Sequence, residues 1–172
     1  MVADCHVVLI GLMGSGKTTI GRRVADELNR PLIDGDDELS RRTGGRTAAD
    51  IEAAEGIDRL HELEAEIAVA ALQSPQPAVI GPAASVCESP DVRRLLDEPF
   101  VVWLTAPPSY LARSARRQSH RPLVDRPDLE ALLSDQLTRR RALLDGLVDL
   151  TIDVSVTTGP DAASLVVARC ST

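Results

Sequence analysis

The sequence predicts an α/β fold in which helices flank a mostly parallel sheet. Two observations lead to this prediction. Short apolar runs alternate with amphipathic segments along the chain, and no internal repeat or low-complexity tract interrupts this order. The chain also has 172 residues, of which 44% are hydrophobic, which is the size and composition of one domain with its own core. We therefore expect a single domain over residues 1–172.

The first part of the chain predicts two strands with a helix between them. Residues 5–10 form a short apolar run that ends at a glycine, which is typical of a buried strand. Ile20, Val24 and Leu28 then recur at the spacing of one helix face. Residues 31–33 predict a second, shorter strand that leads directly into an aspartate.

The middle of the chain predicts a long helix and two more buried strands. Leu60, Leu63 and Ile67 form the apolar stripe of the helix, which we expect to end near the prolines that follow. Residues 78–80 and 100–105 are apolar runs typical of buried strands, with a short helix between them.

The last part predicts three helices, one strand and a loop. The helices cover residues 110–117, 129–144 and 160–168, and the last of them has a proline in its first turn. Residues 150–154 predict the final strand. Residues 118–127 contain two prolines and no periodicity, so they are expected to form a loop.

Composition and charge argue against several classes of protein. The net charge is −7, and Phe, Trp and Tyr occur once each, so a nucleic-acid partner is not expected. The three cysteines follow no disulfide or metal spacing, and no apolar run approaches the roughly 20 residues of a membrane span. The N-terminus has no basic leader. We expect a soluble, cytoplasmic monomer without a membrane partner.

Residues 11–18 match the phosphate-loop pattern G-x-x-x-x-G-K-[ST] at every position. Glycines let backbone N–H groups converge on phosphate oxygens, and the following helix points its positive end at the same anion. Lys17 is expected to contact the β- and γ-phosphates, and the Thr18 hydroxyl to bind Mg²⁺. The residues expected to bind the nucleotide here are Gly14, Ser15, Gly16, Lys17, Thr18 and Thr19. A strand before the loop and an amphipathic helix after it disfavour a chance glycine-rich turn.

Several further segments, taken with the phosphate loop, resemble the shikimate kinases. The resemblance covers nearly the whole chain and implies the P-loop kinase fold, with a five-stranded, mostly parallel sheet. It also implies ATP and Mg²⁺ as cofactors, an acceptor-binding region at about 34–64 and a mobile lid at about 112–127. The segments that carry it are residues 11–21, Pro31-Leu32-Ile33-Asp34-Gly35-Asp36, Arg42-Thr43-Gly44, Gly56 with the helix after it, and Arg121-Pro122-Leu123.

Two aspartates follow the second predicted strand and match the Asp-x-Asp of the family. By this resemblance, Asp34 would hold Mg²⁺ through water, and Asp36 would orient or deprotonate the acceptor hydroxyl. Two carboxylates beside the phosphate loop can serve a cation and an alcohol separately. The alternative is that Asp36 is only the N-cap of a helix that starts at the next residue.

The predicted lid contributes arginines to the nucleotide side. Arg121 matches the family's lid arginine, which reaches the transferring phosphate and neutralises charge in the transition state. Arg113 resembles the arginine that flanks the adenine, although a one-residue difference in lid length makes Arg116 an alternative. His120 is a weaker candidate for a phosphate contact.

One arginine is expected to bind the acceptor. Arg140 falls on the family's acceptor-binding arginine when the last strand fixes the register. Arg139 and Arg141 are near alternatives, because an error of one residue in the register exchanges them. A local cluster of arginines in an acidic protein suits a small polyanion better than a long one.

The chain departs from the family mostly on the acceptor side. His61 stands where the family has the arginine that grips the shikimate carboxylate, and Arg59 lies about 200° away round a helix. Residues 81–85, Gly-Pro-Ala-Ala-Ser, stand where the family has three glycines after the third strand, so that Ala83–Ser85 replace the glycines, and residues 140–144 lack the family's Pro and Tyr. Residues 156–157 replace a second adenine-side arginine. Loss of one arm of a buried arginine–carboxylate pair costs roughly 2–5 kcal/mol.

The sequence therefore predicts an ATP- and Mg²⁺-dependent kinase of shikimate-kinase type, which phosphorylates a hydroxyl of a small polar metabolite. Lys17, Asp36 and Arg121 are the predicted catalytic residues, and Asp36, His61 and Arg140 the predicted acceptor-binding residues. Shikimate is the acceptor by family default, and the resemblance implies a role in aromatic amino acid biosynthesis. The alternatives are a kinase for another polyol or sugar acid, and a nucleotide-binding protein with little phosphotransfer activity. A nucleoside-monophosphate kinase is disfavoured by the Asp-x-Asp.

Overall fold

Five parallel strands form one sheet in the computed structural model, which describes residues 4–117 and 124–171. The strands are β1 (Val7–Gly11), β2 (Leu32–Asp34), β3 (Val79–Gly81), β4 (Phe100–Thr105) and β5 (Leu150–Asp153). Their order across the sheet is β2-β3-β1-β4-β5, and every pairing is parallel. The predicted α/β class and the mostly parallel five-stranded sheet are confirmed.

The connections reverse direction beside the central strand. From β1 the chain crosses to the outer strand β2 and returns to β3, and then it moves to β4 on the other side of β1. Such a reversal opens a crevice at the carboxyl ends of the strands, where parallel α/β sheets bind their ligands. The carboxyl end of β1 is Gly11, the first residue of the phosphate loop.

Eight α-helices and one 3₁₀ helix connect and cover the strands in the described part of the chain. The α-helices are α1 (Lys17–Leu28), α2 (Gly35–Arg42), α3 (Ala48–Glu55), α4 (Ile57–Leu72), α5 (Pro90–Leu95), α6 (Pro108–Arg116), α7 (Leu129–Leu143) and α8 (Gly159–Cys170). The 3₁₀ helix covers Ala84–Glu88 and follows β3 directly. No helix within residues 4–117 or 124–171 is both long and apolar enough to cross a membrane.

Each face of the sheet carries its own apolar core. Val7 and Leu9 of β1 pack with side chains of α1, α6, α7 and α8. Val8 and Ile10 face the opposite side and pack with α4, α5 and the buried Trp103 of β4. Successive side chains of a strand point to opposite faces, so a central strand covered on both sides is apolar throughout.

A third, smaller core fixes the helices that follow β2. Leu39 of α2, Ile51 of α3, and Leu60 and Ile67 of α4 form a buried cluster of their own. Because this cluster ties α2 and α3 to α4, it holds the acidic segment after β2 beside the end of β3. The side of the sheet predicted to bind the acceptor is therefore built by helices rather than by extended loops.

The predicted strands and the helices α1 and α4–α8 are confirmed, with ends that differ by a few residues. Helix α3 and the 3₁₀ helix were not predicted as elements, and α2 was considered only as the helix that Asp36 would cap. Helix α3 has the sequence Ala-Ala-Asp-Ile-Glu-Ala-Ala-Glu, in which Ile51 alone is buried, so it shows no apolar periodicity. Its start is instead fixed by a capping box between Thr47 and Asp50.

The cap of α2 corrects one sequence-based hypothesis. Asp34, not Asp36, is the N-cap: its Oδ1 accepts hydrogen bonds from the N–H groups of Asp36 at 3.0 Å and Asp37 at 3.4 Å. The alternative role of Asp36 as the cap is therefore wrong, because Asp36 lies one residue inside the helix. Its side chain is exposed at the start of α2, next to the carboxyl end of β2.

Candidate active site

The phosphate loop connects β1 to α1 with two glycines in left-handed backbone. Gly14 and Gly16 both have φ of 79°, and a Cβ at Gly14 would lie 2.3 Å from the carbonyl oxygen of Leu111. The loop thus approaches α6 so closely that a side chain at Gly14 would clash. In the described part of the chain, the Ser15 Oγ is buried without a hydrogen-bond partner. A buried, unpaired hydroxyl in a glycine-rich turn with the phosphate-loop pattern fits a site that accepts phosphate oxygens.

The lysine of the loop lies at the mouth of this cradle. The Lys17 Nζ donates a hydrogen bond of 2.6 Å to the carbonyl oxygen of Gly11. Helix α1 has no acidic residue in its first turn, and its N-cap Gly16 makes no side-chain cap. The positive end of α1 and the lysine ammonium therefore both lie where they can attract an anion in the loop.

A groove beside the loop extends the phosphate site towards α6 and the end of β5. The lining residues are Gly14, Ser15, Gly16, Thr19, Ile20, Tyr110, Ser114, Val154, Ser155, Val156, Thr157, Thr158 and Gly159. Val156 is 82% exposed and stands in the segment that lacks the family's second adenine-side arginine. Its lining combines hydroxyl side chains with the apolar side chains of Ile20, Val154 and Val156.

The α6 residues that line this groove are not the arginine that the sequence predicted. Tyr110 and Ser114, one helical turn apart, line the groove, and Tyr110 also packs against the core. Arg113 is exposed and is not among the groove residues, so its predicted adenine contact stays a prediction. Arg116 donates from its Nε to the carbonyl oxygen of Val124 at 3.4 Å. Arg121 and His120 lie outside the described residues.

The two predicted metal-side residues are in direct contact. The Thr18 Oγ1 donates a hydrogen bond of 2.7 Å to the Asp34 Oδ2. A hydroxyl and a carboxylate at this distance form two adjacent oxygen ligands, and Mg²⁺ in phosphate sites uses one or two protein ligands with water and phosphate oxygens. The donor set therefore fits Mg²⁺.

A separate pocket of about 530 Å³ opens at the other side of the loop. Its walls come from α2, α3, α4, the 3₁₀ helix and α7, and Met13 of the phosphate loop forms one end. The lining residues are Met13, Asp36, Ser40, Thr47, Ala48, Ala49, Glu52, Ile57, Leu60, His61, Glu64, Ala83, Ala84, Ser85, Arg126, Leu132, Gln136, Arg139 and Arg140. This volume is within the usual range for a small-molecule site.

The pocket brings together the residues predicted to bind the acceptor. Asp36, His61 and Arg140 all line it, although they come from three different helices. Arg139 also lines the pocket, whereas Arg141 is exposed and does not. Arg140 is the buried member of the three, with a side chain 7% exposed, and its predicted role as the acceptor-binding arginine stays a prediction.

Arg140 is paired with a residue that the sequence analysis missed. Its Nε donates to the Glu88 Oε1 at 2.9 Å, and its Nη1 donates to the Gln136 Oε1 at 3.1 Å. Arg139 donates to the same Glu88 oxygen at 3.0 Å. Burial raises the pKa of Glu88, but the hydrogen bond and charge of Arg140 and the charge of Arg139 outweigh it, so this pKa lies below its ordinary value. Glu88 is more than fifty residues away in sequence, and no local pattern indicated this contact.

His61 is held in its neutral form. Burial lowers its pKa below the ordinary value of 6.5, and the nearby charge of Arg140 acts in the same direction. Glu88, Asp58 and Glu52 raise the pKa but do not compensate for burial. At neutral pH the side chain is therefore an uncharged hydrogen-bonding group, not a substitute for an arginine.

The segment after β3 presents side chains to the pocket, as the sequence indicated. Ala83, Ala84 and Ser85 all line it. The Ser85 Oγ is buried and donates a short hydrogen bond to the Glu64 carboxylate, which also lines the pocket. This wall therefore offers a carboxylate and a hydroxyl in place of bare backbone.

Comparison with known proteins agrees with this geometry. A family model described as shikimate kinase matches residues 13–170. The shikimate kinase of Symbiobacterium thermophilum is 40% identical over 125 residues, which cover 72% of this chain and 71% of that protein. That of Pelotomaculum thermopropionicum is 38% identical over 141 residues, 81% of each chain. The structure of shikimate kinase from Acinetobacter baumannii in complex with shikimate superimposes with a TM-score of 0.83 at 27% identity, covering 96% of this chain and 90% of that one.

Proposed function

Because this chain belongs to the shikimate kinase family, it is an ATP-dependent small-molecule kinase, and we propose that it phosphorylates a ring hydroxyl held beside Asp36. The observation that carries the proposal is the continuity of two sites. Met13 lines both the small cavity of the phosphate loop and the acceptor pocket. A phosphate bound in the loop and an alcohol bound in the pocket would therefore meet at this residue.

On the nucleotide side, the loop amides, the Ser15 hydroxyl and Lys17 would bind the phosphates. Thr18 and Asp34 would hold Mg²⁺, Thr18 directly and Asp34 through water. The cation would neutralise charge on the phosphate oxygens. Asp34 accepts a hydrogen bond from the Thr18 hydroxyl, which holds the two side-chain oxygens next to each other.

On the acceptor side, Asp36 is the proposed proton acceptor. The hydroxyl oxygen forms a bond to the γ-phosphorus while the bond from that phosphorus to the β,γ-bridging oxygen breaks. ADP leaves with the bridging oxygen, and the hydroxyl proton passes to the Asp36 carboxylate. Asp36 suits this role because it lies two residues beyond the end of β2 and lines the same pocket as Met13 of the phosphate loop.

Two further assignments rest on the family resemblance. Arg121 would reach the transferring phosphate and neutralise its charge in the transition state. Arg113 would flank the adenine. We also propose that the enzyme is a single-domain, cytoplasmic monomer without a nucleic-acid partner, which its net charge of −7 supports.

The test is acceptor-dependent release of ADP. Shikimate, as the family's acceptor, is the reference compound, beside quinate, gluconate and uncharged cyclitols. We expect ADP to form only when an acceptor is present, with one phosphomonoester made for each ADP. ADP release that no acceptor stimulates, in a protein that still binds ADP, would instead support the alternative of a nucleotide-binding protein.

A further inference from the structure

Every described arginine that lines the acceptor pocket already holds a carboxylate. Arg126 makes two hydrogen bonds to Asp128, at 2.8 and 2.6 Å. Arg139 and Arg140 share one oxygen of Glu88, at 3.0 and 2.9 Å. A carboxylate ligand would therefore have to compete with a protein carboxylate for each of these three cations.

Of the three arginines, Arg140 holds the carboxylate that a ligand would find hardest to displace. The Arg140 side chain is 7% exposed, and that of Glu88 is 31% exposed. The Arg140 Nη1 also donates a hydrogen bond to Gln136, so two of the three nitrogens of the Arg140 guanidinium have protein partners. Attraction between two charges is strongest where water is scarce, so this internal partner is difficult for a ligand to displace.

The remaining polar groups of the pocket are carboxylates and neutral side chains. Asp36, Glu52 and Glu64 all line it, and His61 is neutral because burial lowers its pKa. With the two carboxylates that hold the arginines, five acidic side chains stand against three arginines within the described residues. Among the residues that the structure describes, acidic side chains therefore outnumber arginines around the pocket.

The helix end that reaches the pocket does not reverse this balance. Thr47, Ala48 and Ala49 of the α3 N-terminus line the wall, and such an end favours an anion. Here the Asp50 Oδ2 accepts hydrogen bonds from the Thr47 N–H at 2.8 Å and the Thr47 Oγ1 at 2.7 Å. The α3 N-terminus therefore already carries a protein carboxylate, which offsets part of its attraction for an anion.

From this arrangement we propose that the acceptor is a cyclic polyol without a carboxylate, and that Glu88 sets this specificity by occupying Arg140. The inference rests on the phosphotransfer proposed above and names the class of acceptor for the same pocket. Carboxylates accept hydrogen bonds from ring hydroxyls, and the Gln136 amide and the His61 ring can donate or accept them. Hydroxyl groups match these partners, whereas a carboxylate is repelled by Glu64, Glu52 and Glu88.

The first experiment compares two acceptors on the unmodified enzyme. Shikimate and methyl shikimate have the same ring and hydroxyls and differ by one negative charge and one methyl group. We expect kcat/KM for methyl shikimate to exceed that for shikimate by at least tenfold, and uncharged cyclitols to be phosphorylated better than quinate or gluconate. A preference for shikimate over its ester would overturn the inference and leave the kinase function intact.

The second experiment removes the internal carboxylate. Glu88→Gln keeps the size of the side chain, and Glu98→Gln, at an exposed position outside the pocket, is the matched control. We expect Glu88→Gln to shift the ratio of kcat/KM for shikimate to that for methyl shikimate at least tenfold towards shikimate, and Glu98→Gln to leave it within about twofold.

Two other outcomes would overturn part of the proposal. An unchanged ratio in folded Glu88→Gln would overturn the role of Glu88. If that variant does not fold, Glu88→Ala takes its place, and the comparison on the unmodified enzyme needs no variant. If no compound is phosphorylated by an enzyme that binds ADP, the proposed kinase function fails, and the acceptor class fails with it.

Discussion

The Thr18 hydroxyl donates a 2.7 Å hydrogen bond to the Asp34 carboxylate across the carboxyl ends of β1 and β2. The same carboxylate begins α2 by accepting the backbone N–H groups of Asp36 and Asp37. One side chain therefore links the phosphate loop to the helix that carries the proposed base. Movement of Asp34 would be transmitted to both the metal site and the acceptor site.

Replacing Asp34 separates its two roles. Asp34→Asn keeps a good N-cap, so the free energy of unfolding should stay nearly unchanged, whereas Asp34→Ala should cost about 1 kcal/mol. Both changes remove the charge near Mg²⁺, so the Mg²⁺ concentration for half-maximal rate should rise roughly tenfold or more. Thermal unfolding and a Mg²⁺ titration of the rate measure the two effects. Unaltered Mg²⁺ dependence in both variants would leave Asp34 as a cap alone.

Asp36→Asn should lower kcat by roughly 10²–10⁴-fold, because the acceptor hydroxyl loses its proton acceptor. Binding of ADP and Mg²⁺, measured by calorimetry, should hardly change, since Asp36 acts on the acceptor. Asp37→Asn is the matched control, because Asp37 is exposed in the same first turn of α2 and does not line the pocket. Equal rates for the two variants would exclude Asp36 as the base.

Lys17→Ala should abolish turnover and weaken the binding of ADP, because the phosphates lose the ammonium group of the loop. Loss of a charged hydrogen bond of about 1.5–3 kcal/mol corresponds to roughly 10- to 150-fold weaker binding. The control is Arg22→Ala, which removes one positive charge from the exposed side of α1. Calorimetric titration with ADP compares the variants, and unchanged affinity in Lys17→Ala would contradict the phosphate-loop assignment.

His61→Arg should raise kcat/KM for shikimate, chiefly through a lower KM, because the restored contact acts in the ground and transition states alike. The double variant His61→Arg, Glu88→Gln should raise kcat/KM for shikimate more than either single change, since it provides two arginines for the carboxylate of shikimate. The measurement is ADP release at pH 7.5. A value of about 10⁴ M⁻¹s⁻¹ or more for shikimate with the unmodified enzyme would show that His61 and residues 83–85 do not hinder this acceptor.

The pKa of His61 predicts how stability depends on pH. Burial lowers this pKa below 6.5 in the folded state, so the unfolded chain binds the proton more readily. The contribution of His61 to stability is therefore present above pH 6.5 and is lost as the pH falls through this value. His61→Gln should lose less stability than the unmodified protein between pH 7 and pH 5.5, as urea unfolding at several pH values would measure. Parallel pH profiles would argue against a buried, neutral His61.

Local sequence patterns were sufficient to predict the features that a single short segment determines. The phosphate loop is eight consecutive residues, so its pattern can be recognised without knowledge of any contact to a distant segment. The strands are also local features, because a central parallel strand is apolar on both faces. Helix α3 was missed for the opposite reason, since a run rich in alanine with a single buried residue shows no apolar face.

The acceptor pocket depends on contacts between distant segments. Asp36, His61 and Arg140 could be named from the family pattern, and the structure brings them to one cavity. Whether Arg140 is available to a ligand could not be inferred, because its partner Glu88 is separated from it in the chain by α5, β4 and α6 and belongs to a 3₁₀ helix without a sequence signature. Tyr110 in the nucleotide groove was missed because its direction depends on how α6 packs beside the loop.

The sequence by itself determined the parallel α/β sheet, the phosphate loop and the family, because each rests on residues whose order along the chain carries the pattern. The tertiary structure alone decided which charges of the pocket neutralise one another, with Arg139 and Arg140 on Glu88 and Arg126 on Asp128. The physical reason is that electrostatic energy depends on distance and burial in space. Neither quantity follows from the separation of two residues along the chain.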